Sequence, residues 1–242
     1  MSIWGSLIGG MIGFSLGGPF GMLLGSLLGG KISRSRTTAR FSSAAQGQQM
    51  FALSLIVLSA KLSKADGQVS KEELIAVKDK LKIPEHELDQ VGKIFNQAKK
   101  ESAGYEPYAK QIAQFYSGNI NVLEEVVNIL FYIAESDGEV SSAELNMIEN
   151  IAKIFGLTEI QYLSIKESRK GSDKLNPYVV LESKPDDDIT TIRKRYLTLS
   201  KQNHPDLLLS KGVPKEVIEE SKNKMRAINS AWDQIQKLKK NH

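Results

Sequence analysis

The first thirty residues carry no charged side chain, and they hold ten of the chain's nineteen glycines. The run from Ile3 to Leu28 is long enough to cross a bilayer as a helix, which takes about 20 apolar residues. Its strongest polar groups are the hydroxyls of Ser6, Ser15 and Ser26. The first charges beyond it are Lys31, Arg34, Arg36 and Arg40, with no acid among them. A basic flank of this kind is retained on the cytoplasmic side. The expectation is a single-pass anchor in a bacterial inner membrane, N-terminus outside and the remaining domains cytoplasmic. A cleaved signal peptide would place its basic residues before the apolar run, not after it.

The glycines of this segment are periodic. Gly5, Gly9, Gly13, Gly17, Gly21, Gly25 and Gly29 stand four apart without a break. On a helix, i and i+4 share a face, so the spacing predicts a groove where a second backbone approaches closely, as small residues do between membrane helices. A homodimer through this face is expected. Pro19, which lacks a backbone donor, should kink the span. A hairpin turning at Gly18-Pro19 is the second reading.

Composition excludes several classes of function. The chain has no cysteine and only three histidines, His86, His204 and His242. Disulfide frameworks, thiol catalysis, cysteine zinc sites and multi-histidine metal centres are ruled out. A net charge of +4 is too small to imply a nucleic-acid partner. No phosphate-binding glycine loop is present, so the protein is not expected to hydrolyse ATP itself; no nucleophile or oxyanion loop accompanies His204 and Asp206, and the protein is not expected to be an enzyme.

From Met50 the pattern turns helical. Apolar residues recur at helical spacing in 50–62, 74–83, 88–95, 122–134 and 145–155, and no alternating strand pattern stands out. The fold class is all-α: a transmembrane helix, a helical bundle and a C-terminal antiparallel hairpin. The division reads 1–30 glycine-rich anchor, 31–49 basic juxtamembrane linker, 50–168 helical domain, 169–175 polar linker and 176–242 C-terminal domain.

The middle domain repeats itself. Asp66-Gly67-Gln68-Val69-Ser70-Lys71-Glu72-Glu73-Leu74 returns as Asp137-Gly138-Glu139-Val140-Ser141-Ser142-Ala143-Glu144-Leu145. Asp-Gly closes one helix, and Ser70 and Ser141 cap the next, with Glu73 and Glu144 completing capping boxes. The stretch also has the spacing of the second half of a calcium loop. The first half disagrees, because Leu62 and Lys64 would stand at ligand positions. Capping is the main reading. A divalent cation is the alternative cofactor, with Asp66, Glu73, Asp137 and Glu144 as candidate ligands. These two motifs resemble the TerB-like, or DjlA N-terminal, helical domain.

The most specific signal is C-terminal. Asn176-Pro177-Tyr178-Val179-Val180-Leu181 opens a short helix. Ile189 to Lys201 is an amphipathic helix with Ile192, Tyr196 and Leu199 inward and Arg193, Lys194, Arg195 and Lys201 on its other faces. His204-Pro205-Asp206 comes next. A long helix from about Lys215 carries Met225, Ile228, Ala231, Trp232 and Ile235 on one face. This arrangement resembles a J domain of the DnaJ-type co-chaperones, and the segment 207–216 resembles the longer loop of DjlA-type proteins. Membrane span, TerB-like domain and terminal J domain is also the DjlA order.

The resemblance implies a DnaK-type ATPase as partner, its hydrolysis triggered by His204, Pro205 and Asp206 with support from Arg193, Lys194, Arg195 and Lys201. Proline would hold the loop pre-ordered, so little entropy is lost on docking. Asp206 could accept a paired arginine, and the cations would steer encounter. Position 207 is Leu where many J domains carry Lys. The Gly/Phe-rich and zinc-binding parts of a full DnaJ are missing. The competing function is a membrane-bound stress-signalling adaptor whose TerB-like domain senses a metal or partner.

Overall fold

The computed structural model describes residues 18–27, 44–64, 75, 77–79, 82–101, 104–138, 140–170, 174–215 and 218–240. Among them the regular structure is helical.

Helix α2 (Ala44–Leu62) is the axis of a bundle. From Met50 to Ser63 every residue is buried. A helix apolar on all sides must be wrapped on all sides. Around it lie α3 (Leu88–Lys100), α4 (Glu106–Phe115) and α5 (Ile120–Ala134). Helices α6 (Ser142–Ile154) and α7 (Glu159–Ser168) close on α5 from outside. Lys61 is carried into this core: its Nζ donates to the Glu101 carbonyl at 3.3 Å and lies over the Tyr108 ring. Burial lowers its pKa from the ordinary lysine value.

Two capping boxes start the outer helices. Ser141 accepts from the Glu144 N–H at 3.2 Å, and the Glu144 carboxylate accepts from the Ser141 N–H at 2.8 Å. Thr158 and Gln161 repeat the device for α7. Each satisfies two backbone donors that a helix start leaves open.

Helix α1 (Gly18–Leu27) departs from the expected span. Pro19 lies in the first turn of α1, where its missing N–H costs nothing; the segment before Gly18, on which the expected kink depends, lies outside the described residues. Phe20, Leu23 and Leu24 are buried in the bundle's apolar cluster, against α3 and α4. The Phe20 ring meets Tyr108 edge-on at 5.0 Å, and the Phe20 N–H donates to Gln111 Oε1 at 3.2 Å. Among the described residues no helix is long and apolar enough to cross a membrane. The rest of the expected span, residues 3–17 and 28, lies outside them.

The C-terminal part is a hairpin. Helix α8 (Pro177–Val180) leads to α9 (Ile189–Gln202), a short α10 (Pro205–Ser210) and the long α11 (Ile218–Lys240). Tyr196 stacks on Trp232 at 5.2 Å and its hydroxyl donates to Asn229. Lys239 Nζ donates to the Pro185 carbonyl at 2.9 Å. Pairing of 196 with 229–232 and of 185 with 239 makes α9 and α11 antiparallel. Ile192, Leu199, Ile228, Ala231 and Ile235 form their common core, as the sequence periodicity predicts; Tyr196 and Trp232 are half-buried at its edge.

The polar segment expected as a linker is fastened at both ends. Arg169 pairs with Glu135 at 2.7 Å and donates to Asn128 Oδ1 at 2.9 Å. The Asn176 N–H donates to Glu167 at 2.6 Å.

Candidate functional site

Asp188 starts α9 by accepting from the hydroxyl and N–H of Thr191 at 2.6 and 2.9 Å. Those two bonds hold its carboxyl down to a pKa of about 2. Helix α9 ends at Asn203, whose side chain is buried and returns a hydrogen bond to the Leu199 carbonyl at 2.8 Å. The chain therefore leaves the helix at one fixed place, with His204 first.

His204 has φ −66° and ψ 131°, the extended conformation demanded of a residue before proline. Its Nδ1 accepts the Asp206 N–H at 3.3 Å. A nitrogen that accepts carries no proton, so the neutral ring holds its proton on Nε2. Pro205 then opens α10, so that the first part of the expected loop, 207–210, is helical here because proline is pre-set for a first helical position. The His204 side chain is 56% exposed and that of Asp206 86%, so both are open to a partner. Asp206 lies 3.8 Å from His204 Nδ1.

All four expected cations on α9 are exposed, but they do not form one set. At about 100° per residue, Arg193, Lys194 and Lys201 share a face, whereas Arg195 lies on another. Arg195 is close enough to Glu182 to favour its charged form. The centre of the basic face is Leu197, 53% exposed. Sequence periodicity marks it only as off the core stripe; its exposure among cations is what singles it out.

The remaining site residues divide. Gly21 and Gly25 lie on α1, while Gly5, Gly9, Gly13, Gly17 and Gly29 lie outside the described residues. So do Asp66 and Glu73. Asp137 ends a 3-10 turn, Glu135–Asp137, and the Glu144 carboxylate is engaged in its capping box. Among the described residues no group of three or more acids and histidines is placed to hold a metal.

A second polar centre lies where the hairpin meets the bundle, and its signal in the sequence is an acid inside an apolar helix. Glu124 of α5 is buried and paired with buried Lys224 of α11 at 2.9 Å. Gln161 Nε2 of α7 donates to the other Glu124 oxygen at 2.8 Å. Glu182 is near; burial, then the Glu124 charge, raises its pKa, while Lys224 and Arg195 oppose the rise. The Ser164 hydroxyl donates to the Val180 carbonyl at 2.9 Å, and Asn121 Nδ2 to the Gln202 carbonyl at 3.3 Å.

The geometry defines a class: an all-helical protein whose terminal hairpin presents His-Pro-Asp beside a basic helix face. Comparison with known proteins narrows it. The family model of the tellurite resistance protein TerB matches residues 52–167, and that of the co-chaperone DjlA transmembrane domain matches 1–39. The co-chaperone protein DjlA of Vibrio parahaemolyticus is 26% identical, with 81% of each chain covered. The DjlA proteins of Vibrio vulnificus and Escherichia coli K12 are 26% and 25% identical, with 81% and 86% of each chain covered. The chain is thus similar to TerB over 52–167 and to the DjlA transmembrane domain over 1–39, and it resembles DjlA-type co-chaperones over more than four-fifths of its length. No solved structure matches it.

Proposed function

We propose that this protein is a membrane-anchored co-chaperone that binds a DnaK-type ATPase and stimulates its ATP hydrolysis at the cytoplasmic membrane face. The observation that carries this reading is the exposed His204-Pro205-Asp206 turn, pre-ordered by Pro205 and set at the end of the basic face of α9. A pre-ordered loop loses little entropy on docking. Asp206 offers both oxygens to a guanidinium, and the His204 Nε2–H is free to donate outward. Arg193, Lys194 and Lys201 supply a positive field that speeds encounter with an acidic surface and weakens with salt. The similarity to proteins named co-chaperones, over more than four-fifths of the chain, supports the same reading.

Anchoring is assigned to the apolar run at 1–30, with the basic residues after it inside and the glycine face joining two copies; on insertion Phe20, Leu23 and Leu24 would exchange their contacts with α3 and α4 for lipid. The match to the DjlA transmembrane domain supports the anchor.

The test is single-turnover ATP hydrolysis by a DnaK-type chaperone with the full chain in mild detergent. Wild type should accelerate hydrolysis, and His204→Gln and Asp206→Asn should not. A folded wild-type chain without effect refutes the proposal. Protection of the C-terminal domains from added protease in right-side-out vesicles checks the orientation.

A further inference from the structure

The turn that carries His204, Pro205 and Asp206 belongs to the hairpin in sequence, yet the residues after it pack into the bundle. Leu208 and Val213 are fully buried and Ile218 nearly so, and all three lie in the apolar cluster of the bundle. The hairpin's own core, built on Ile192, Leu199 and Ile228, is a separate cluster. Helix α10 is therefore seated in the bundle two residues after the exposed Asp206.

Its far end is seated too. Gly212 closes α10 at φ +93°, with the Val213 N–H donating to the Leu208 carbonyl at 3.0 Å. A Cβ placed on Gly212 would stand 2.9 Å from Gly47 Cα, so two backbones are in contact there. The Gly47 carbonyl in turn accepts from the Tyr116 hydroxyl at 2.6 Å.

Beyond this apolar seat lies the buried Glu124–Lys224 pair, one partner from each domain. Both charges are out of water, and Gln161 occupies the second Glu124 oxygen. If the two surfaces docked in another register, one of these charges would be buried without its partner, which is strongly unfavourable. The pair therefore specifies one register of hairpin on bundle.

We propose that Glu124 is a positioning residue for the His204-Pro205-Asp206 turn: its buried pair with Lys224 locks the hairpin onto the bundle, so that α10 seats Leu208 and the turn is held in its docking shape. The TerB segment is then part of the chaperone-activating device rather than a separate module on a tether. This role rests on the co-chaperone reading above.

The experiment uses the full chain in mild detergent. The chain is free of cysteine, so Asn121→Cys with Gln202→Cys introduces the only two thiols, one on each side of the interface. A short bismaleimide should join them in high yield. The clamped protein should stimulate the ATPase with the same plateau and half-saturating concentration as the unclamped one. Glu124→Lys should abolish the cross-link and raise the half-saturating concentration about tenfold at an unchanged plateau, because the partner must then order about one more residue itself. Glu124→Lys with Lys224→Glu should recover both. A poor cross-link in the otherwise wild-type chain, clamped protein that no longer stimulates, or full stimulation by Glu124→Lys despite a lost cross-link overturns the proposal. Absence of stimulation by wild type at every concentration overturns the co-chaperone reading and this role with it, while the cross-link yield still reports whether the interface forms.

Discussion

Gly212→Ala is the sharpest test of the contact between α10 and the bundle. Two costs add at this position. An L-residue at φ +93° is strained by about 1–2 kcal/mol. The new methyl carbon would also stand 2.9 Å from Gly47 Cα and 3.0 Å from Gly47 C, where no flexible side chain can give way. Forcing an atom into packed backbone costs about 1–3 kcal/mol. The sum is about 2–5 kcal/mol. Gly156→Ala is the internal control. Gly156 closes α6 at φ +79° by the same pattern, the Leu157 N–H donating to the Ala152 carbonyl at 3.0 Å, but a Cβ there meets nothing within 4 Å. Only the strain applies, about 1–2 kcal/mol. Urea unfolding of the full chain in detergent, followed by far-UV circular dichroism, gives the difference. Amide exchange shows where it falls: Gly212→Ala should expose the amides of 205–213, and Gly156→Ala should leave them protected. Equal destabilisation by the two substitutions, with 205–213 still protected in both, would refute the close approach of α10 to α2.

Two other substitutions probe the same structure. Glu182 ends α8 at φ +51°, with the Ser183 N–H donating to the Tyr178 carbonyl, at a position that favours glycine. Glu182→Gly should stabilise the fold by about 1 kcal/mol through relief of that strain. It should also remove a pH dependence. The folded state holds the Glu182 proton more tightly than the ordinary 4.5, so stability falls as pH rises from 4.5 through the raised value; an unchanged slope in unfolding midpoint against pH would count against the burial of this carboxyl. Phe20 is fully buried against Tyr108, so Phe20→Ala should cost about 3–5 kcal/mol if α1 lies on the bundle. An unchanged urea midpoint would show that the bundle does not depend on it.

Much of the hairpin is legible in the sequence. Ile192 and Leu199 on α9 and Ile228, Ala231 and Ile235 on α11 repeat at helical spacing because one face of each helix must leave water. Proline after His204 dictates an extended histidine wherever it occurs, since the restriction is local and steric. The capping box at Ser141 and Glu144 is likewise a three-residue matter. Helices α4 and α7 are not legible in this way. Glu106–Phe115 sets Tyr108, Ala109 and Ile112 on one face but over only ten positions, too short a run to stand out, and Glu159–Ser168 leaves Ile160 and Leu163 exposed and so has no clear apolar stripe.

Tertiary structure decided the partners. An apolar run such as Gly18–Leu27 satisfies either lipid or a protein groove, because the hydrophobic effect has no direction; only the surfaces of α3 and α4 place Phe20, Leu23 and Leu24. Sequence shows Glu124 as an acid among apolar residues. It cannot show that Lys224, one hundred residues away, is its counter-charge. Nor can it show that Leu208 joins the bundle's core and Leu199 the hairpin's. Local rules act over a few residues and set helices, caps and the exposed turn. The assignment of each apolar face to its neighbour depends on complementary shape between distant segments, and that exists only once the chain has folded.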